Sequence, residues 1–231
     1  MKINEFKFNV HSQFGEDGII EKIFEIIKPE FKTCIEFGAW DGVYLSNTAN
    51  LWKKDWKAIL IESDNEKFKE LLKNKNDNVI PICAKVDNNL NSLDKILENN
   101  NIEKNIDFLS IDIDGNDYYI MESLKFKPKL ICIEYNPTIP YWIDLKQDYD
   151  AIDSFGCSPK SLYDLAKKMG YMLVSATDVN LFFVDNKYQN LFEKYEQNLS
   201  ELVCKTHYNY IISKYNGKSI EVTPFVYGNV R

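Results

Sequence analysis

Arginine is almost missing from this chain. Of its 28 basic residues only Arg231 is an arginine, against 35 acidic residues and a net charge of −7. No Lys/Arg-dense stripe exists to displace counterions from phosphates, so a long nucleic acid is not an expected partner. Histidine is scarce as well, with only His11 and His207. The five cysteines (Cys34, Cys83, Cys132, Cys157, Cys204) are odd in number and never form CxxC. That pattern argues against a disulfide framework or a zinc site and points to a reducing, cytoplasmic compartment. No apolar run approaches the roughly 18 residues needed to span a bilayer. The opening MKINEFKFNVHSQF lacks the basic-then-apolar profile of a signal peptide. GxGxxG is absent, so the dinucleotide fingerprint fails.

What the 231 residues do contain is apolar material, at 45%, enough for the core of one medium-sized domain. Residues 16–27 place Ile19, Ile20, Ile23, Phe24 and Ile27 at helical spacing before Pro29. Short β-rich runs follow at 33–39, 57–63, 78–84, 106–112 and 129–135, with helical patterns at 44–54, 65–73, 92–100 and 117–125 between them. Near-continuous apolar strands alternating with helices predict a parallel sheet covered on both faces. Ser158-Pro159 reads as the start of a helix that Gly170 ends. The runs 171–177 and 180–186 are separated only by Asp178 and Val179, so they must form an antiparallel hairpin. The expected architecture is α/β: a Rossmann-like, doubly wound sheet of seven strands with a terminal antiparallel hairpin. A single domain is expected over 1–231, with an N-terminal lid and helix (1–30), a core (31–186), and a C-terminal helix and tail (187–231).

In such a sheet, ligands sit over the C-terminal ends of the strands. The first strand ends IEFGAWDG, where Gly38 lets the backbone approach a ligand and Glu36 points a carboxylate into the turn. The second ends LIESD; Glu62 is placed to accept the two hydroxyls of a ribose, while Asp64 reads equally as a helix cap. After the third strand, Asp87 is a candidate for an adenine amino group. The stretch NIDFLSIDIDGNDYYIMESL (105–124) carries Asp107, Asp112, Asp114 and Asp117. Ionised carboxylates near a core need an offsetting cation or solvent. Asp112 and Asp114 share one face of their strand, as do Glu134 and Asn136 on the next. Hard oxygen ligands from Asp112, Asp114, Glu134 and Asn136 suit Mg²⁺, Mn²⁺ or Ca²⁺. Asp114-Gly115 as a simple turn, with Asp117 as a cap, is the plainer alternative. Upstream, Gln13, Glu16 and Asp17 in HSQFGEDG either cap the first helix or fold over a ligand as a lid. The aromatic segment 137–155 is a candidate wall for a substrate pocket.

These residues carry a resemblance. Glu36-Phe37-Gly38-Ala39-Trp40-Asp41-Gly42 resembles motif I of class I S-adenosylmethionine-dependent methyltransferases, and the final hairpin is similar to their reversed seventh strand. Glu62 falls where their ribose-binding acid lies, and Asp112 where their strand-four acid lies. IDFLSIDIDGNDYYIMESL resembles the IDVEGFE-type segment of FkbM-like methyltransferases. That resemblance covers about residues 10–186 and implies S-adenosylmethionine as cofactor. It implies a cofactor site of Gln13, Asp17, Glu36, Gly38, Asp41, Glu62, Ser63, Asp87 and Asp112. It also implies O-methylation of a sugar, a glycan precursor or a small phosphorylated metabolite, in a bacterial surface-polysaccharide (capsule) or natural-product pathway. A Mg²⁺ or Mn²⁺ ion would activate the acceptor hydroxyl; without one, Asp112 or His11 would be the catalytic base. Two rivals are a haloacid-dehalogenase-like phosphatase, from the DxDG motif, and a non-catalytic Rossmann-like binding module. The sequence leaves the oligomeric state open.

Overall fold

Each short apolar run becomes a buried strand. The computed structural model describes residues 1–113, 115–149, 151, 154–203, 211–213 and 219–221. The strands are β1 (Thr33–Phe37), β2 (Lys57–Glu62), β3 (Val79–Cys83), β4 (Phe108–Ile111), β5 (Leu130–Glu134), β6 (Tyr171–Ala176) and β7 (Asn180–Asp185). They form one seven-stranded sheet in the order β3-β2-β1-β4-β5-β7-β6. β1 to β5 pair in parallel, whereas β7 runs antiparallel to both β5 and β6. This is the doubly wound sheet with a reversed terminal hairpin that the sequence predicts.

Alternation along the strands builds two cores. Cys34, Ala58, Leu60, Phe108, Cys132 and Phe182 face one way, toward α1 (Glu16–Ile27), α2 (Ala49–Trp52) and α3 (Asn65–Asn74). Ile35, Ile59, Leu109, Ile131 and Phe183 face the other way. They meet α4 (Leu93–Asn99), α5 (Asp117–Ser123) and α6 (Pro159–Lys168). In α1, Ile19, Ile20 and Ile23 are fully buried, each contributing roughly 1.5–3 kcal/mol. Gly18 lets the N-terminal segment cross this helix closely: a Cβ there would lie 2.0 Å from the carbonyl oxygen of Phe6.

Two helical expectations need correction. The helix expected over 44–54 shrinks to α2, Ala49–Trp52, because Ser46, Asn47 and Thr48 turn to hydrogen-bond Glu36 instead. Ser and Asn favour such local bonds over helix. The tail is not one helix: a 3₁₀ turn leads into α7 (Gln189–Phe192), and α8 (Leu199–Leu202) follows separately. Asn198 caps α8 through its side chain, which fixes the break. Backbone pairing also joins β8 (Ile211–Ser213) to β9 (Ser219–Glu221).

Two of the four aspartates in 105–124 are anchors inside the fold. Asp107 is fully buried; one oxygen accepts the N–H groups of Glu30, Phe31 and Lys32 at 2.7–3.0 Å. Its other oxygen lies 3.1 Å from the Lys129 ammonium. Asp117 accepts the N–H groups of Ile113 and Gly115, both at 2.9 Å, and so closes the turn after β4. Charge-assisted bonds of this kind replace the water that burial removes.

Candidate active site

The glycine turn after β1 and the acid at the end of β2 are tied together. The Glu62 carboxylate accepts the Trp40 N–H at 2.8 Å and the Asp64 N–H at 2.7 Å. Gly38 adopts φ +71°, and a Cβ on it would stand 2.2 Å from the Asp112 carbonyl oxygen. The bare backbone therefore lets β1 and β4 end side by side. Trp40 and Leu45 hold left-handed backbone conformations as well, at φ 48° and 55°. Bulky residues avoid that region, and each such residue costs of order 1–3 kcal/mol.

These tips enclose a cleft of about 410 Å³, whose lining includes Glu36, Gly38, Glu62, Ser63 and Asp112. Trp40, Tyr44, Lys67 and Lys85 complete its mouth. Lys67 lies over the Trp40 ring at 4.4 Å, while the indole N–H donates to Glu70 at 3.1 Å. The wall residues Trp40, Tyr44, Lys67 and Lys85 were not singled out from the sequence. Trp40 stood inside the quoted turn, but exposed lysines carry no periodic signal.

Glu36 lines the cleft yet is largely engaged. It is buried, and its oxygens accept from Ser46 Oγ, from Thr48 Oγ1 at 2.6 Å and from the Asn47 N–H at 2.8 Å. Burial pushes its pKa up, and those hydrogen bonds oppose the shift. Cys132 sits behind the site; burial, and then the carboxylates of Glu16, Asp112, Glu36 and Glu134, push its thiol well up. Acids thus do converge on this end of the sheet.

A second cavity, about 250 Å³, lies beyond the 113–115 turn at the tips of β4 and β5. Glu134 and Asn136 line it, with Asp117, Thr138, Ser154 and Phe155. Gln147, which is buried, holds its outer wall: Oε1 accepts from Phe155 N–H and Gly156 N–H, and Nε2 donates to Asn116. The aromatic segment accordingly supplies a wall through Phe155.

Other expected site residues fall outside both cavities. His11 is half-buried with Nε2 3.2 Å from Lys53 Nζ; burial and then Lys53 lower its pKa. Asp17 accepts the N–H groups of Val10, His11 and Ser12 and the Ser12 hydroxyl, binding the 9–15 loop to α1. Gln13 offers its carbonyl to Asn9 and is exposed. Asp41 accepts from Val43 and Tyr44, and Asp87 from Asn89 and Asn91, each bracing its own loop.

The expected metal set does not fit the described residues. The Asn136 amide oxygen already accepts from Thr138 N–H and Oγ1, and its NH₂ donates to Phe155. Asp114, like His207 and Cys204, lies outside the described residues. Among the described residues no group of three His, Cys, Asp or Glu is placed to hold an ion. Asp117 is not the cap that the plainer alternative expects: Asn116 precedes α5 as its N-cap, and Asp117 instead accepts from Ile113 and Gly115.

Residues 84–173, from the end of β3 into β6, match the model of the methyltransferase FkbM domain. No curated protein matches the chain. Among solved structures, a SAM-dependent methyltransferase from Aquifex aeolicus is 14% identical, with 78% of this chain and 94% of that chain covered and a TM-score of 0.45. TrmK of M. capricolum, solved with S-adenosyl-homocysteine, is 14% identical over 72% of this chain and 67% of that chain, at a TM-score of 0.45. The N-terminal domain of EvdMO1, solved with S-adenosyl-homocysteine and D-fucose, is 13% identical over 74% and 82% of the two chains, at 0.46. The match over residues 84–173, together with the order of the seven strands, supports reading the chain as a class I S-adenosylmethionine-dependent methyltransferase.

Proposed function

We propose that the protein O-methylates a sugar or glycan precursor in the cytosol, with the donor in the β1–β2–β4 cleft and the acceptor in the β4–β5 cavity. The observation that carries this reading is that Glu62 and Asp112 line one cleft around the bare Gly38 turn. The donor fits that cleft: the turn leaves backbone exposed for close approach, and Glu62 retains lone pairs for a ribose diol beyond the two N–H groups it accepts.

When bound, S-adenosylmethionine supplies a sulfonium methyl group, and transfer forms a C–O bond as the C–S bond breaks and its electron pair returns to sulfur. The chain's own task is alignment and exclusion of water. Glu62 fixes the nucleoside end. Asp112, on the wall of the donor cleft and next to the turn that bounds the acceptor cavity, takes the hydroxyl proton. His11, beside Lys53, lies away from both cavities. No step is routed through a metal, since the described residues do not fit one.

Calorimetric titration with S-adenosyl-homocysteine tests the reading. Micromolar binding to the wild type is expected. No heat with the product or with S-adenosylmethionine overturns it.

A further inference from the structure

We infer that Asn180 is a substrate-binding residue: its buried carboxamide oxygen accepts a hydrogen bond from a hydroxyl of the methyl acceptor, and Glu16 turns it to do so. The inference rests on the methyltransferase reading and deepens it, adding a contact from the reversed hairpin.

Asn180 opens β7 at the working end of the sheet. It stands opposite Glu134 in the β5–β7 ladder, and residues directly opposed in such a pair project from the same face. Glu134 lines the cavity assigned to the acceptor. The main chain of Asn180 is fixed as well. Its N–H donates to Thr177 Oγ1 at 3.1 Å, and its carbonyl accepts the Thr177 N–H at 2.8 Å. A side chain carried on so constrained a turn is held in place before any ligand arrives.

That side chain is 4% exposed, and its two polar ends differ. Nδ2 donates to Glu16 Oε1 at 3.2 Å; Oδ1 has no hydrogen-bond partner among the described residues. Rotating the amide by half a turn does not mend this. A carboxylate only accepts, so the NH₂ group must face Glu16 and the oxygen must face elsewhere. Glu16 is itself pinned: it is buried, and Oε2 accepts the Phe14 N–H at 2.7 Å. The chain thus keeps an acceptor out of water with no donor of its own to satisfy it, an unfavourable state that a ligand's donor relieves.

An amide oxygen takes an O–H or N–H group, which the acceptor's hydroxyls and the donor's α-ammonium both supply. Placement favours the acceptor. The donor cleft is lined from the ends of β1 to β4, and β5 separates those strands from β7. Asp112, which takes the hydroxyl proton, and Asn180 therefore stand on either side of the β5 tip. Glu16 and Asp112 both act on the thiol of Cys132 in β5, after burial the first two causes of its raised pKa. A ring held at one hydroxyl by Asn180 and deprotonated at another by Asp112 is fixed at two points, where a single contact would let it turn.

Two variants test this. Asn180→Leu removes both polar ends at nearly the same volume. Glu16→Gln keeps an oxygen for the Phe14 N–H and adds an NH₂ group, so the Asn180 amide can turn its oxygen inward and satisfy it there. The probes are the methyl glycosides of glucose, galactose, mannose and N-acetylglucosamine. They are titrated by saturation-transfer NMR into full-length protein saturated with S-adenosyl-homocysteine. The wild type is expected to bind at least one in the millimolar range, and both variants to bind it at least about fivefold more weakly, as for one hydrogen bond lost in a buried site. Calorimetry should give S-adenosyl-homocysteine affinities within about twofold of wild type in both. Glu16→Gln should melt no lower than wild type, because a buried oxygen gains a partner. If Asn180→Leu does not fold, Glu16→Gln decides alone. No glycoside bound at tens of millimolar, or unchanged glycoside affinity in a folded variant, overturns the inference. So does a parallel loss of S-adenosyl-homocysteine affinity, which gives the oxygen to the donor's ammonium. Absence of S-adenosyl-homocysteine binding by the wild type is read first and separately; it overturns the methyltransferase reading itself.

Discussion

Gly38 faces the carbonyl oxygen of Asp112 so closely that a Cβ would stand 2.2 Å from it. This approach places the tips of β1 and β4 around one cleft, and it joins two requirements at one residue: a left-handed φ and an empty side-chain position. Gly38→Ala meets both penalties. A destabilisation of about 2–4 kcal/mol is expected from the left-handed backbone and the backbone clash together, with S-adenosyl-homocysteine affinity lost in whatever folds. Urea unfolding and calorimetry read the two effects; wild-type stability in the variant would contradict the geometry.

Glu62 holds the Trp40 N–H, and in the proposed function it also meets the donor. Glu62→Ala should weaken S-adenosyl-homocysteine binding by about 1–3 kcal/mol, roughly 5- to 150-fold, as expected when buried hydroxyls lose an acceptor. Trp40 fluorescence should shift in the same variant, because its backbone anchor is gone. Full affinity would place the ribose elsewhere.

The aspartates of 105–124 divide by role, and mutation should separate them. Asp107→Ala strands the N–H groups of residues 30–32 and leaves the buried Lys129 ammonium to Glu30, and should cost about 3–5 kcal/mol of stability. On the proposed mechanism, Asp112→Ala should abolish methyl transfer in protein that still folds. Tritium transfer from labelled donor, alongside thermal melts, checks both. The reverse pattern would exchange the assigned roles.

Glu36 gives a pH signature. Its folded pKa is raised above the ordinary carboxylate value of 4.5, so between that value and the folded pKa the native state binds more protons than the unfolded state. Its contribution is fully present below 4.5 and is lost as pH rises through the folded value. Relative to Glu36→Gln, which cannot ionise, the wild type should lose stability as pH climbs from 4.5 toward neutrality. Denaturant midpoints of the pair across that range measure this; a constant difference would mean that the carboxylate is not penalised by burial.

The fold was legible because its strands are apolar on both faces and its turns carry Gly, Pro and Asn-type punctuation. Cys34–Ile35 and Phe108–Leu109 show why: neighbours face opposite cores, so hydrophobicity is continuous and only a doubly covered sheet satisfies it. The hairpin was legible from a two-residue gap. The cavities were legible only at the strand ends, where topology places Gly38, Glu62, Asp112 and Glu134 on their walls. Loop carboxylates misled. Asp17, Asp41 and Asp87 look like ligands for a guest, yet their oxygens bind nearby backbone, and a linear sequence does not distinguish a carboxylate aimed at a cavity from one folded onto its own loop. Asn136 entered the metal set because it shares a face with Glu134, yet its amide oxygen accepts from Thr138. Lys67 and Lys85 were missed because nothing in their spacing separates a cavity rim from open surface.

The antiparallel course of β7 has a consequence for where the sheet can take an insertion. It returns the short Asp178–Val179 connection to the working end of the sheet, where Tyr135 bonds to Thr177 and Val179. A longer loop grafted there would enlarge this end of the sheet while leaving every helix-covered crossover intact. The Gly38 turn, held against the Asp112 carbonyl, has no comparable freedom. Room to grow at one edge and rigidity near the centre both follow from the direction of a single strand.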